Sequence, residues 1–147
     1  MGDLAQDVTI RPARTDDVGA IAALCGELGY SMTADQAARR FDALPESHVV
    51  LVAVDAARTV LGFAHAHAAE PLLLDRTAEL ASLVVTAHHR GQRVGERLVD
   101  AIAAWARGAG FRALRLRSNV VRVDAHRFYE RLGFARTKQQ VVFDRTL

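Results

Sequence analysis

The sequence contains a single cysteine and no long apolar run, and these two absences exclude several classes of protein. Cys25 is the only cysteine among 147 residues, so no disulfide can form within the chain, and a reducing, cytoplasmic location is expected. No apolar run approaches the roughly 20 residues that cross a bilayer, and the N-terminal residues contain no apolar segment typical of a secretory signal. We therefore expect a cytoplasmic protein with no membrane partner.

Aromatic residues make up only 6% of the chain, whereas charged residues make up 24% and are unevenly distributed. Residues 1–87 contain 6 Arg and 12 acidic residues, a net charge of −6, and residues 88–138 contain 11 Arg and one Lys against 4 acidic residues, a net charge of +8. A basic half suits nucleic acid or a small polyanion. Because few aromatic side chains lie among the arginines, we favour a phosphorylated small molecule and no nucleic-acid partner. RNA binding is the weaker alternative.

The spacing of apolar residues predicts one domain over residues 1–147 with the element order β-α-α-β-β-β-α-β-α-β. Gly29 is expected to end the first helix, and Thr33–Gln36 is a capping-box pattern that begins the second. A strand over 78–85 is followed by a long helix from Val94, and a last strand is expected over 140–144. This order favours a mixed α/β (α+β) layer fold, with a helix crossing between two parallel strands.

The loop between that strand and the long helix is the most informative motif. It contains two glycines and two arginines: Arg90, Gly91, Arg93 and Gly95. The N–H groups of a first helical turn have no intrahelical partner, and with the helix dipole they form a site for a phosphate or pyrophosphate. The glycines allow close approach of a ligand to the backbone, and the arginines add positive charge.

This loop resembles the acyl-coenzyme A loop of the GNAT superfamily of N-acetyltransferases, whose pattern is Arg/Gln-x-x-Gly-x-Gly/Ala, although the middle glycine is replaced by Arg93. The resemblance extends through residues 78–136 and includes Asn119 and the Phe-Tyr-x-x-x-Gly-Phe motif at 128–134. It implies a GNAT-like fold with a central mixed sheet of six to seven strands flanked by about four helices. It also implies an enzyme that transfers an acetyl group from the cosubstrate acetyl-CoA to a primary amine by direct attack.

The resemblance further implies which residues bind the cosubstrate, through strand backbone, loop, helix start and pantetheine contacts. They are Leu83, Val84, Val85, Arg90, Gly91, Gln92, Arg93, Val94, Gly95, Glu96, Asn119 and Tyr129. No motif identifies the acceptor, although a small-molecule amine is favoured over a protein. A homodimer is left open.

Glu79 is the candidate general base. An ammonium with a pKa near 10.4 must lose a proton before it can attack a thioester, and in many members of the family a glutamate at this strand position removes that proton. Strict strand alternation would place Glu79 on one face with Ala81, Leu83 and Val85. The alternative interpretation is a carboxylate in a salt bridge.

Tyr129 is the candidate proton donor to the departing thiolate, because a tyrosine at this helix position in the family reaches the coenzyme sulfur. The alternative is a tyrosine that only packs against Phe128 and Phe134. His65 and His67 share a strand face and could line the acceptor groove or assist deprotonation, or be purely structural. No metal site is expected.

A different class of protein, a non-catalytic acyl-coenzyme A-binding or sensor module, would use the same loop. The presence of both Glu79 and Tyr129 argues for the enzyme.

Overall fold

The computed structural model describes residues 7–90 and 93–147, which divide into two compact units. The first unit extends to Leu116 and the second begins at Arg117. Gly91 and Gln92, both predicted cofactor contacts, lie outside the described residues, so their roles stay predictions. The single domain over residues 1–147 likewise stays a prediction.

The first unit is built on a five-stranded sheet in the order β1-β2-β3-β4-β5. The strands are β1 (Thr9–Pro12), β2 (His48–Val54), β3 (Val60–Ala69), β4 (Thr77–Val85) and β5 (Leu114–Leu116). Neighbours are antiparallel from β1 to β4, whereas β4 and β5 are parallel. A parallel pair requires a long crossover connection, which the predicted long helix supplies. The mixed α/β layer fold is therefore confirmed.

The described part of this unit contains the helices α1 (Val18–Glu27), α2 (Ala34–Asp42) and α3 (Val94–Gly108). Gly29 follows α1 with a φ of +86°, a backbone conformation in which glycine is favoured, so the predicted helix end is confirmed. The predicted capping box of α2 also forms. The Oγ1 of Thr33 accepts from the N–H of Gln36 at 3.1 Å, and the Oε1 of Gln36 accepts from the N–H of Thr33 at 2.9 Å.

Helices α1 and α3 cover opposite faces of the sheet. Leu24 of α1 packs in one cluster with Phe63 and Val84. Ala106 of α3 packs with Ala78, which the strand register assigns to the other face. The largest side chains with almost no exposed surface are Leu98, Ile102, Val52 and Val94, three of which belong to α3. Burying each such aliphatic side chain stabilises the fold by about 2 kcal/mol. The three buried side chains of α3 therefore contribute strongly to packing this helix against the sheet.

The second unit contains one helix, α4 (Val123–Arg131), and Gly133 follows it with a φ of +96°. The predicted strand over 140–144 is wrong for this structure, because residues 132–147 contain no strand. The sheet consequently has five strands among the described residues, and the expected six to seven strands are not present there. A sequence pattern can favour a strand, but the strand forms only where another strand supplies hydrogen-bond partners.

Candidate active site

The main chain of β4 loses its neighbour on the β5 side after Leu80. The three residues up to Leu80 pair with β5, but within the described part of the chain no strand continues that pairing along residues 81–85. Backbone N–H and C=O groups on such an edge can pair with an extended ligand. Three predicted cofactor contacts lie on this stretch: Leu83, Val84 and Val85.

The loop after β4 is tied to the end of α1 by one carboxylate. The Oε1 of Glu27 accepts hydrogen bonds from the N–H of Ala87 at 3.1 Å and from the Oγ1 of Thr86 at 3.2 Å. These bonds, the backbone one most strongly, hold the pKa of Glu27 below its usual range. Arg90, three residues further on, donates from its Nε to the carbonyl of Val85 at 3.2 Å. The loop thus folds back over the end of β4.

Helix α3 begins directly after this loop, with Val94, Gly95 and Glu96 in its first turn. The N–H groups of a first turn have no partner further back in the helix, and the helix dipole makes this end positive. The N–H of Arg97 closes a helical bond to the carbonyl of Arg93 at 3.0 Å. Three predicted cofactor contacts therefore lie where backbone donors suit an anionic group.

Arg93 precedes α3 with a left-handed backbone, at φ +64° and ψ 10°. The left-handed region is one in which glycine is preferred, which gives a physical reason for the glycine in the family pattern. The Arg93 side chain turns onto Glu96, with its Nε 3.0 Å from the Oε2 of that carboxylate. The guanidinium and the Glu96 carboxylate therefore engage each other in this structure.

A β-bulge in β4 changes which residues share a face with Glu79. Ser82 pairs with His65 and Leu80 pairs with Ala66, which leaves Ala81 as an extra residue. Directly paired residues point to the same face, so Glu79 shares its face with Ser82 and Val84. The expected grouping of Glu79 with Leu83 and Val85 is wrong, because strict alternation does not survive the bulge. Glu79 instead faces the α1 side of the sheet.

Three histidines lie on the same face, on β2 and β3. The Nδ1 of His48 and the Nε2 of His65 are 2.8 Å apart, and the ring centroids of His48 and His67 are 4.8 Å apart. Burial, with smaller contributions from the two other histidines, lowers the pKa of His65 to about 4, and burial also lowers the pKa of His48. We call these three residues the histidine cluster. At neutral pH His65 is therefore uncharged.

His48 was missed by reasoning from sequence. Simple counting from the hairpin turn after β2, where Val54 pairs with Val60, would bring His48 opposite Ala66. A register shift at Ala53/Val54 brings it opposite His67 instead, and the sequence gives no signal of that shift. The Nδ1 of His67 lies 2.9 Å from the carbonyl oxygen of Ala68, to which it donates. This hydrogen bond engages the Nδ1 of His67, so a further partner would meet its Nε2.

Glu79 is half-buried and has a different kind of neighbour on each adjacent strand. Its register partner on β3 is His67, and its register partner on β5 is Arg115. A carboxylate can form an ion pair with an arginine or a hydrogen bond with an imidazole. Both predicted interpretations of Glu79, base and salt-bridge partner, thus have a neighbour that suits them.

In the second unit, Asn119 organises the turn that leads into α4. Its Oδ1 accepts from the N–H of Val121 at 3.1 Å, and its backbone carbonyl accepts from the N–H of Arg122 at 3.0 Å and from the Nε2 of His126 at 2.9 Å. Such side chain-to-backbone bonds fix a turn. Cofactor binding by Asn119 stays a prediction.

Tyr129 lies in an aromatic cluster of α4 and the residues after it. Its ring centroid is 5.2 Å from that of Phe128 and 5.7 Å from that of Phe134, both in edge-on geometry. The packing expected of this tyrosine is therefore observed. Burial raises the pKa of Tyr129, although Arg122 opposes the shift, so the phenol keeps its proton at neutral pH.

Cys25 of α1 is a further reactive side chain of the first unit. Cys25 packs against the cluster around Leu24, and burial raises the pKa of its thiol. Cys25 thus behaves as a small apolar residue of the core. Across residues 7–90 and 93–147, no group of three His, Cys, Asp or Glu side chains is arranged to hold a metal ion. No helix in those ranges is both long and apolar enough to cross a membrane.

Comparison with known families identifies the family of this chain. Residues 17–134 match the model of the acetyltransferase (GNAT) family, a match that covers more than half of the chain and extends into both compact units. The chain is a member of the GNAT acetyltransferase family. The parallel β4–β5 pair and the loop before α3 are thus parts of a GNAT domain.

Two curated relatives of this GNAT protein share one segment with it. An uncharacterized N-acetyltransferase, YhdJ, from Bacillus subtilis is 45% identical over 56 residues, which are 37% of this chain and 39% of the relative. An aminoalkylphosphonate N-acetyltransferase from Salmonella typhimurium is 43% identical over 56 residues, 38% of this chain and 36% of the relative. The matches span well under half of either relative.

Solved structures match over nearly the whole chain. The aminoglycoside N-acetyltransferase AAC(6')-Iy, solved in complex with CoA, has a TM-score of 0.84 at 16% identity, and the match covers 95% of each chain. At this level of identity the likeness concerns the fold alone.

Proposed function

We propose that this protein transfers an acetyl group from acetyl-coenzyme A to the primary amine of a small molecule. The observation that carries the proposal is the path of the chain from β4 to α3. After Leu80 the strand has an edge without a neighbouring strand in the described part of the chain, and it then leads through a basic loop into a helix start. An extended arm with a pyrophosphate at its end fits such a path.

The residues present fit this cosubstrate. The backbone of Leu83, Val84 and Val85 would pair with the amide-containing arm, and the first-turn N–H groups of α3 would meet the pyrophosphate. Arg90 would add positive charge near the pyrophosphate, since it directly follows the short turn Ala87–His89 between β4 and α3. Gly91, Gln92 and Asn119 complete the proposed contacts. The acetyl thioester supplies an activated carbonyl.

In the proposed reaction Glu79 accepts the proton of the acceptor ammonium. The neutral amine then forms an N–C bond as the C–S bond breaks, and Tyr129 donates a proton to the thiolate. The nitrogen loses its second proton to solvent, from which the Tyr129 phenolate regains a proton, and Glu79 releases the first proton to solvent. Because its pKa is raised, the Tyr129 phenol is protonated at neutral pH and is available as a donor when the thiolate forms. One positioned base typically contributes about 10²–10⁴-fold to the rate.

A histidine is the second candidate for the base. The structure favours His67 over His65 in that role. His65, with a pKa of about 4, holds a proton too weakly at neutral pH, whereas His67 is the direct partner of Glu79 across the strands. Substituting each of Glu79 and His67 separately distinguishes the two candidates.

Two of the similar proteins support a small-molecule acceptor. By name, one acetylates an aminoalkylphosphonate and another an aminoglycoside. Neither name assigns the acceptor of this chain, and a cytoplasmic location also stays a prediction. The non-catalytic alternative would bind acetyl-coenzyme A without releasing free thiol when an amine is added.

One experiment tests binding and catalysis separately. Calorimetry with coenzyme A is expected to show a large loss of affinity in Gly91→Asp, because a carboxylate and a side chain would meet the pyrophosphate. Gly19→Asp is the matched control, since a Cβ at Gly19 meets nothing within 4 Å and lies at the start of α1. Equal affinity of all three proteins would refute the loop assignment. Thiol release with a panel of amines then separates the enzyme from the binding module.

A further inference from the structure

Gly62 of β3 lies where two elements of the proposed coenzyme site meet. It pairs directly with Val85 at the end of β4. A Cβ at Gly62 would lie 2.6 Å from the carbonyl oxygen of Val84 and 3.2 Å from the Cα of Val85. It would also lie 3.3 Å from the Cδ1 of Leu98, in the second turn of α3. The small size of glycine thus allows β3, the end of β4 and α3 to approach one another at this position.

The reason for a glycine at this position is space and not backbone conformation. Gly29, Gly110 and Gly133 have a positive φ, and Gly62 is not one of them. Its nearest neighbour is a backbone oxygen, which cannot rotate away as the end of a long side chain can, and an ordinary contact needs 3.4 Å or more. A glycine inside a strand costs stability and marks a place where another backbone approaches closely. An alanine at position 62 would therefore push β4 away from β3.

The atoms that would move belong to both parts of the proposed coenzyme site. The N–H of Thr86 donates to the carbonyl of Leu61 at 2.8 Å, so the end of β4 is held against β3 on one side of Gly62. Moving Val84 and Val85 away from β3 moves them toward the opposite edge of β4, where the coenzyme arm is proposed to pair. The same Cβ would press on Leu98, which is fully buried and holds the start of α3 against the sheet.

We propose that Gly62 is a positioning residue for the coenzyme, because its lack of a Cβ sets the spacing between the end of β4 and the first turns of α3. This role rests on the proposed function, in which the strand backbone holds the arm and the helix start holds the pyrophosphate. Gly62 does not touch the coenzyme in this arrangement and acts through Val84, Val85 and Leu98. A misplacement of about 1 Å in a binding site can cost about a hundredfold.

Calorimetry of the full chain with coenzyme A tests this role. Gly62→Ala should raise the dissociation constant about tenfold to a hundredfold. Gly108→Ala is the matched control, because the same change at the other end of α3 places a Cβ with nothing within 4 Å, and its affinity should stay at the wild-type level. Val52→Ala is the stability control, since it removes buried volume from β2, two strands away from β4, and should unfold more easily without losing affinity.

Steady-state rates separate positioning from a general loss of stability. Gly62→Ala should raise the KM for acetyl-coenzyme A and leave the KM for the amine unchanged. Leu98→Ala tests the same contact from the side of α3, and it should also weaken coenzyme binding more than Val52→Ala does. This second variant decides the matter if Gly62→Ala does not fold.

Wild-type affinity in Gly62→Ala overturns the positioning role, as does an equal loss of affinity in Val52→Ala. If Gly62→Ala does not fold, wild-type affinity in Leu98→Ala overturns it. A wild type that binds no coenzyme A refutes the proposed function itself. Equal binding by the wild type and Gly62→Ala refutes only the role of Gly62, so the two failures are distinguishable.

Discussion

Glu79 and His67 are direct register partners across β4 and β3, and they therefore point to the same face of the sheet. The bulge at Ala81 separates this face from the side chains of Leu83 and Val85, whose backbone is proposed to hold the coenzyme arm. The Glu79 side chain thus lies on one face of β4, while the side chains of Leu83 and Val85 point to the other face. This arrangement suits a base that acts on an acceptor on the α1 side.

Glu79→Gln should lower turnover by about 10²–10⁴-fold and leave coenzyme affinity unchanged, because the amide cannot accept the proton of an ammonium. The loss should be largest at a pH below the pKa of the amine. Steady-state rates from about pH 6 to about pH 9 and calorimetry measure the two effects.

Glu70→Gln is the control for this substitution, since Glu70 is an exposed carboxylate whose Oε1 lies 2.7 Å from the Nε of Arg76. Its turnover should stay at the wild-type level. If Glu79→Gln instead turns over as fast as the wild type while His67→Gln is slow, His67 is the base.

Arg93→Gly should leave the protein as stable as the wild type or more stable, because glycine adopts the φ of +64° without a steric penalty. Arg93→Ala keeps that penalty, about 1 kcal/mol, and should be less stable than Arg93→Gly by a similar amount. The ion pair with Glu96 is exposed and contributes little. Urea unfolding of the three proteins measures the difference. An alanine variant as stable as the glycine variant would contradict the left-handed backbone.

The same two variants report on cofactor binding. Because the Arg93 side chain engages Glu96, we expect Arg93→Gly to bind coenzyme A within about tenfold of the wild type, roughly 1.4 kcal/mol. A thousandfold loss would instead identify the guanidinium as a main phosphate ligand. Titration calorimetry distinguishes these results.

The histidine cluster should make stability fall in mild acid. The pKa of His65 is about 4 in the folded protein, below the usual 6.5, so the unfolded chain binds the proton more readily. The contribution of neutral His65 is fully present above about pH 6.5 and is lost as the pH falls toward about 4. Since the imidazole is only half-buried, we expect a loss of about 1–2 kcal/mol after solvent screening.

His65→Gln should remove this part of the pH dependence when urea unfolding is compared at both ends of that range. His126→Gln is the control, because His126 lies in the other compact unit and binds a turn carbonyl. Equal slopes of stability against pH in wild type and His65→Gln would show that the cluster does not carry the effect.

Basic or polycationic amines should outcompete acidic amino acids as acceptors. The first 87 residues, which include α1, α2 and β1 to β4, carry a net charge of −6. Such a field raises the association rate of cations and lowers their apparent KM. The preference should shrink between about 0.05 and 0.5 M salt, and faster turnover of a glutamate-like acceptor would contradict it.

Local signals were enough to predict much of the fold and of the cofactor half of the site. The Thr33–Gln36 capping box and the end of α1 before Gly29 depend only on nearby residues, and both formed as predicted. The loop motif and the later Phe-Tyr motif indicated the family that the match over residues 17–134 shows. Such features can be predicted because a cap or a helix end is decided within a few residues.

Only the tertiary structure decided the features that depend on pairing. The bulge at Ala81 moves Glu79 to the face of the histidine cluster. It exists because β4 contains one residue more than β3 over the stretch where the two strands pair. His48 joins that cluster only through the register of β2 and β3. The strand expected over 140–144 shows the same limit in reverse, because its sequence favours a strand but no strand forms there in this structure. Alternation along a sequence predicts the face of a side chain only while each residue has one partner across the sheet, and that partner is chosen by the fold.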